Sequence, residues 1–122
     1  METYFFDTYA FFEIIKGNIN YQKYSKEISL ITTRLNLMEL YYWLLRRKGK
    51  EEAERHYQNF LPYCVNVSDN TIKEACEFRL KNKLKNLSYI DCIGYMMAIK
   101  KRIKFLTGDI GFENINNVEY VK

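Results

Sequence analysis

The sequence predicts an α/β fold: a three-layer α/β/α sandwich around a central, mostly parallel sheet of four or five strands. Three observations predict it. Short apolar runs such as residues 4–6 and 103–106 suit strands buried on both faces. Longer segments with apolar residues every three or four positions separate those runs, as βαβ units require. Gly and Pro are scarce, at five and one, which disfavours many short strands joined by glycine-rich turns.

The first strand, residues 4–6, gives way to Asp7 and Thr8. Residues 10–16 follow as a helix with Phe11, Phe12, Ile14 and Ile15 toward the sheet, stopped by Gly17 and Asn18. Residues 28–32, rich in β-branched side chains, read as the second strand. A helix over 33–47 carries Leu37, Leu40, Tyr41 and Leu44 on one face. Either its first turn begins at Thr33 or Asn36 caps it, and Gly49 ends it. A more polar helix over 50–60 stops at Pro62 and packs back on its predecessor around Gly49.

Residues 63–67 are expected to form a third strand. Ser68 or Asp69 caps a helix running through Arg79 and beyond, with Ile72, Ala75, Cys76 and Phe78 as its apolar positions. Ser88 caps a helix over 89–101, with Ile93, Met96, Met97 and Ile99 as expected core residues. Residues 103–106 form the fourth strand and lead at once into Thr107, Gly108 and Asp109. Residues 119–121 read as a closing edge strand after a turn at Asn114, Asn116 and Asn117.

With 122 residues, 1–122 reads as a single domain with one core. The net charge of +4 is compatible with a polyanionic partner. Cys64, Cys76 and Cys92 show no C-x-x-C spacing, which points to reduced thiols and a cytoplasmic setting. His56 is the only histidine, so a structural zinc and a Ser-His-Asp triad are both disfavoured. The N-terminus lacks a basic start and Asp7 breaks its apolar run, so no secretory leader and no membrane span are expected.

The acids carry the functional signal. Asp7 follows the first strand and Asp109 the fourth. Glu39 lies early in the helix after the second strand, and Asp91 near the start of the helix 89–101. In an open parallel sheet, the C-terminal strand ends and the helix starts beyond them share one rim, where ligands bind. Four carboxylates meeting there would repel one another unless a cation joined them. Mg²⁺ or Mn²⁺, as one ion or two, prefers such oxygen ligands and needs no histidine. Each acid also has an ordinary structural reading. Ser88-x-x-Asp91 and Asn36-x-x-Glu39 resemble capping boxes, Asp7 suits an N-cap, and Gly108-Asp109 suits a turn.

At the same residues the chain resembles the PIN domain family, in particular the VapC-type toxin ribonucleases of toxin–antitoxin systems. Four stretches carry the likeness: Phe6-Asp7-Thr8, Thr32 through Glu39 to Tyr41, Leu87-Ser88-Tyr89-Ile90-Asp91 leading to Gly94 and Ala98, and Phe105 through Asp109 to Phe112. The resemblance implies that Asp7, Asp91 and Asp109 are metal ligands and that Glu39 is a ligand or a base acting through water. It implies that Thr107 hydrogen-bonds near the site and that Thr8 does so beside Asp7. One departure is Gly111, where many relatives carry a second Asp or Asn; another is Tyr9, where many carry a small polar residue.

The activity implied is Mg²⁺- or Mn²⁺-dependent hydrolysis of RNA, leaving 3′-hydroxyl and 5′-phosphate ends. The partners implied are RNA, a second copy of the chain in a homodimer, and a small antitoxin protein. Positive charge around an acidic pocket would come from Arg46, Arg47, Lys48 and Lys50, from Arg79, Lys81, Lys83 and Lys85, or from Lys100, Lys101, Arg102 and Lys104. Tyr41, Tyr42 and Trp43 are successive on a helix, so at least one faces solvent or a partner. Two rival functions share this fold class: a non-catalytic RNA-binding or RNA-processing accessory module, and a phosphatase or phospho-receiver unit. Lys104 precedes its strand, which disfavours the receiver.

Overall fold

A computed structural model describes residues 1–122. Four strands form one sheet: β1 Thr3–Phe6, β2 Ser29–Ile31, β3 Lys104–Thr107 and β4 Val118–Tyr120. Their order is β2-β1-β3-β4, and all three pairings are parallel. Five α-helices cover it: α1 Thr8–Lys16, α2 Arg34–Arg47, α3 Lys50–Phe60, α4 Asp69–Lys81 and α5 Tyr89–Lys101.

Alternation along the two central strands divides the core. Tyr4, Phe6 and Leu106 enter one buried cluster with Phe11 of α1, Leu37, Leu40 and Leu44 of α2, and Ala53 of α3. Phe5 and Phe105 enter the other with Ala75 of α4 and with Cys92, Tyr95, Met97 and Ala98 of α5. A parallel sheet buried on both faces needs apolar residues at successive positions, which is why β1 reads Tyr-Phe-Phe. The three layers predicted from the sequence are therefore present. The α5 core face is shifted from expectation: Met97 is buried, whereas Ile99 lies 40% exposed near the helix end.

Thr33 is the N-cap of α2, accepting from the Asn36 backbone N–H, so Asn36 lies inside the helix rather than capping it. Ser68 and Ser88 cap α4 and α5 as expected. Gly49, at φ 92°, turns the chain between α2 and α3, which pack on each other. Of the three successive aromatics on α2, Tyr42 is the exposed one, while Trp43 stacks on Phe12 with centroids 4.6 Å apart. No helix is long and apolar enough to cross a membrane.

One expectation needs correction. Residues 63–67 do not form a strand. Leu61–Tyr63 is a 3₁₀ turn with Pro62 near its start, and only Cys64 makes a single parallel bridge, to Thr32. The Thr32 N–H donates to the Tyr63 carbonyl and the Val65 N–H to the Thr32 carbonyl, and pairing ends there. The segment Ile19–Ser25, to which the sequence reading assigned no element, is a 3₁₀ helix that buries Tyr21 and Tyr24. Their hydroxyls reach the far end of the chain: Tyr21 donates to the Val121 carbonyl at 2.6 Å, and Tyr24 to Glu119 Oε2 at 2.6 Å.

That closure leaves no room at Gly108. A Cβ there would lie 2.2 Å from the Val121 carbonyl oxygen and 2.4 Å from the Tyr9 ring. Gly108→Ala is expected to destabilise the protein by about 1–3 kcal/mol, the usual range for overpacking, read as a lower urea midpoint at unchanged slope.

Candidate active site

The parallel register brings the acids together. Phe6 pairs with Leu106, so the next residues, Asp7 and Thr107, stand side by side at the C-terminal rim. The Asp7 N–H donates to the Leu106 carbonyl at 3.1 Å, and Thr107 Oγ1 donates to Asp7 Oδ2 at 2.7 Å. The same threonine oxygen accepts from the Asp109 N–H at 3.1 Å. One cleft of about 280 Å³ is lined by Asp7, Glu39, Asp91 and Asp109, with Thr8, Tyr9, Phe12 and Ser88.

Each acid can be compared with its ordinary structural reading. Asp7 occupies the N-cap position of α1 but makes no capping bond with its side chain. Asp91 does close a capping box with Ser88, accepting from the Ser88 N–H at 2.8 Å, and it still faces the cleft. Asp109 caps the 3₁₀ turn Ile110–Phe112 by accepting from the Gly111 N–H at 2.9 Å. Glu39 belongs to no capping box, because Thr33 is the N-cap of α2 and Asn36 stands three residues after it. Its Oε1 instead accepts from Thr8 Oγ1 at 2.6 Å.

Behind Thr8 lies a part of the site that the sequence did not mark. Asn36 Nδ2 donates to Thr8 Oγ1 at 3.0 Å, and Thr33 Oγ1 donates to Asn36 Oδ1 at 2.6 Å. All three of these residues are buried. The only sequence signal was an Asn three residues before the acid, which also fits a cap.

A sequence profile of the PIN domain matches residues 4–118. This chain is a PIN domain. Among curated proteins none matches the sequence. Solved structures share the fold at low identity. VapC20 of Mycobacterium tuberculosis, described as a sarcin–ricin loop cleaving toxin, is 19% identical with a TM-score of 0.82, over 98% of this chain and 99% of that one. VapBC2 of Rickettsia felis, bound to a DNA fragment of its promoter, gives 22% and 0.70 over 98% and 97%. A toxin–antitoxin complex of Klebsiella pneumoniae gives 17% and 0.74 over 93% of each chain.

In this PIN domain the cleft is electrostatically strained. Burial raises the Asp7 pKa well above the ordinary carboxylate value; the charges of Asp91 and Glu39 add to that, and the Thr107 and Thr8 hydrogen bonds oppose it. Burial also raises Glu39, with Asp91 adding and the Thr8 hydroxyl opposing. Asp91 is raised by burial and by Asp109, against the hydrogen bonds from Ser88. Asp91 is thus the group that couples the other three. Asp7 Oδ1 is buried with no hydrogen-bond partner at all. A lone buried carboxylate oxygen is costly unless something cationic or protic faces it.

The donor set is all oxygen, which suits a hard divalent cation. No three of these acids stand close enough to close around one ion by themselves. Mg²⁺ commonly keeps several waters and takes only one or two carboxylates, so the spacing accommodates it. The PIN domain's Gly111 is also explained by packing. A Cβ there would meet Leu87 Cδ2 at 2.5 Å and the Lys85 carbonyl at 2.9 Å, so no acid fits without moving that segment.

Raised carboxyl pKa values mean that the folded state holds protons more tightly than the unfolded chain. The contribution of these three acids to stability is then greatest in mild acid and falls as pH climbs from the normal carboxylate range, about pH 4, through the raised folded values. Thermal melts of the metal-free protein should show this decline toward neutral pH. Asp91→Asn keeps an acceptor for the Ser88 N–H, and it is expected to flatten the decline and raise the neutral-pH Tm by a few degrees. An unchanged pH profile in that variant would contradict the coupling described here.

Proposed function

We propose that this PIN domain is a Mg²⁺- or Mn²⁺-dependent endoribonuclease, acting in the cytoplasm as the toxin of a toxin–antitoxin pair. The observation that carries the reading is the convergence of Asp7, Glu39, Asp91 and Asp109, from four distant segments, on one cleft. Structural packing alone gives no reason to place four like charges together. The similar solved structures support the toxin assignment, since their descriptions name a cleaving toxin and toxin–antitoxin complexes. A homodimer and a small antitoxin partner belong to the same proposal.

Asp7, Asp91 and Asp109 are the proposed metal ligands, acting directly or through metal-bound water as their spacing requires, with Asp7 Oδ1 supplying the oxygen that no protein donor satisfies. Glu39 is the proposed ligand or water-orienting base, its Oε1 held by Thr8. Thr107 fixes Asp7 and the Asp109 backbone with a single hydroxyl. A bound divalent cation would neutralise charge on the phosphoryl group and lower the pKa of its water. The basic run Arg79, Lys81, Lys83 and Lys85 leads directly into Ser88 on the cleft wall, and it would hold flanking phosphates without reading sequence. Arg79 is fixed for this by donating from Nε to the Leu87 carbonyl at 2.9 Å.

The competing reading is a non-catalytic RNA-binding or RNA-processing module. The wide spacing of the acids is the observation that favours it. Cleavage of single-stranded RNA decides between the two. Chelation with EDTA should abolish cleavage, and Mg²⁺ or Mn²⁺ should restore it. Asp7→Asn and Asp91→Asn should each lower the rate by at least about 100-fold, a typical loss for a positioned acid–base group, with circular dichroism unchanged. RNA binding that survives both changes, with no cleavage under any divalent ion, would establish the non-catalytic reading instead.

A further inference from the structure

The hydroxyl chain behind Glu39 has a direction, and Asn36 sets it. Thr33 Oγ1 accepts the Asn36 backbone N–H at 3.3 Å, which leaves its own proton for Asn36 Oδ1 at 2.6 Å. With the amide oxygen so assigned, Nδ2 faces Thr8 and donates to Oγ1 at 3.0 Å. A threonine hydroxyl has one proton. With the amide donating to its oxygen, Thr8 gives that proton to Glu39 Oε1 at 2.6 Å.

An amide is not symmetric. Turned over, it would place its oxygen against Thr8, take the Thr8 proton and leave Glu39 Oε1 without a donor. The Thr33 proton would then be orphaned in a fully buried position. The N-cap of α2 therefore determines which end of Asn36 faces Thr8.

We propose that Asn36 is a positioning residue that fixes the polarity of this relay. It commits the only proton of Thr8 to Glu39 and holds Oε1 at the wall. Glu39 Oε2, which takes no protein donor, is then left to the cleft. Without that hold, Glu39 would swing away from the like charge of Asp91. The functional meaning rests on the nuclease reading of Glu39; the polarity of the relay does not.

The test is a double-mutant cycle in thermal stability, run without metal or RNA. Asn36→Asp has nearly the same shape but replaces a donor with an acceptor, so two carboxylates face one hydroxyl proton. Its Tm should fall by at least about 5 °C. Glu39→Gln alone keeps an acceptor for Thr8 and removes a buried like charge, so it should melt at or slightly above the parent, and the coupling is read from that baseline. Together the two changes rebuild the relay in reverse: the new amide at 39 donates to Thr8, and Thr8 donates to the carboxylate at 36. The double variant should regain at least about half of the loss, a coupling that a packing role would not produce. Additive losses, or a double variant that stays as unstable as Asn36→Asp or fails to fold, would overturn the proposal.

With RNA, Thr8→Val should lower kcat at least about tenfold at unchanged KM, and Thr8→Ser should retain it. Equal losses in both would remove the relay's role in positioning. A coupled stability cycle in a protein that cleaves no RNA would uphold the polarity and end the nuclease reading.

Discussion

The Asp7 carboxyl is buried where the two central strands end, and much of the surrounding structure follows from how it is held. One of its oxygens takes the Thr107 hydroxyl; the other takes nothing. Thr107 can reach it only because β1 and β3 are parallel and in register. An antiparallel pairing would send the residues after the two strands to opposite edges of the sheet. Parallel pairing in turn requires crossover helices on both faces, and those helices deliver Glu39 and Asp91 to the same rim. The buried acid, the sheet and the cleft are one constraint seen at three scales.

The acids differ in how firmly the fold fixes them. Asp91 is held by both bonds of a capping box, so its position is determined by the start of α5. Asp109 is held by its own turn. Glu39 is held only by a hydroxyl, and that hydroxyl is oriented by a buried amide and a helix cap. In the sequence, capping and cleft-lining read as alternatives. At Asp91 they coincide: one carboxylate oxygen terminates a helix while the residue still faces the other acids.

The sequence made the alternation of strands and helices readable because burial on both faces of a sheet leaves an unmistakable apolar run, as in Tyr4 to Phe6. The same signal misled at residues 63–67. An apolar run reports burial, not pairing, and there the Pro62 turn permits one bridge to Thr32 and no more. The buried tyrosines of Ile19–Ser25 were invisible for the opposite reason. Their anchors, Glu119 and Val121, lie about a hundred residues away in the chain, as their own hydrogen-bond separations of 95 and 100 show. The four acids could be picked out by their places after strands and at helix starts. Asn36 could not, since its role depends on three partners and on which way round its amide lies.

The order of strands across the sheet bears on how the chain acquires its shape during synthesis. β1 is synthesised about a hundred residues before its neighbour β3, which starts at Lys104, and β4 follows that. Pairing of β1 with β3 must therefore wait until residues 104–107 have been made. Until then β1 is paired along one edge only, with β2, and the edge that β3 will take stays open. The cleft is consequently among the last features to exist on a nascent chain, and truncated products ending before β3 cannot assemble it.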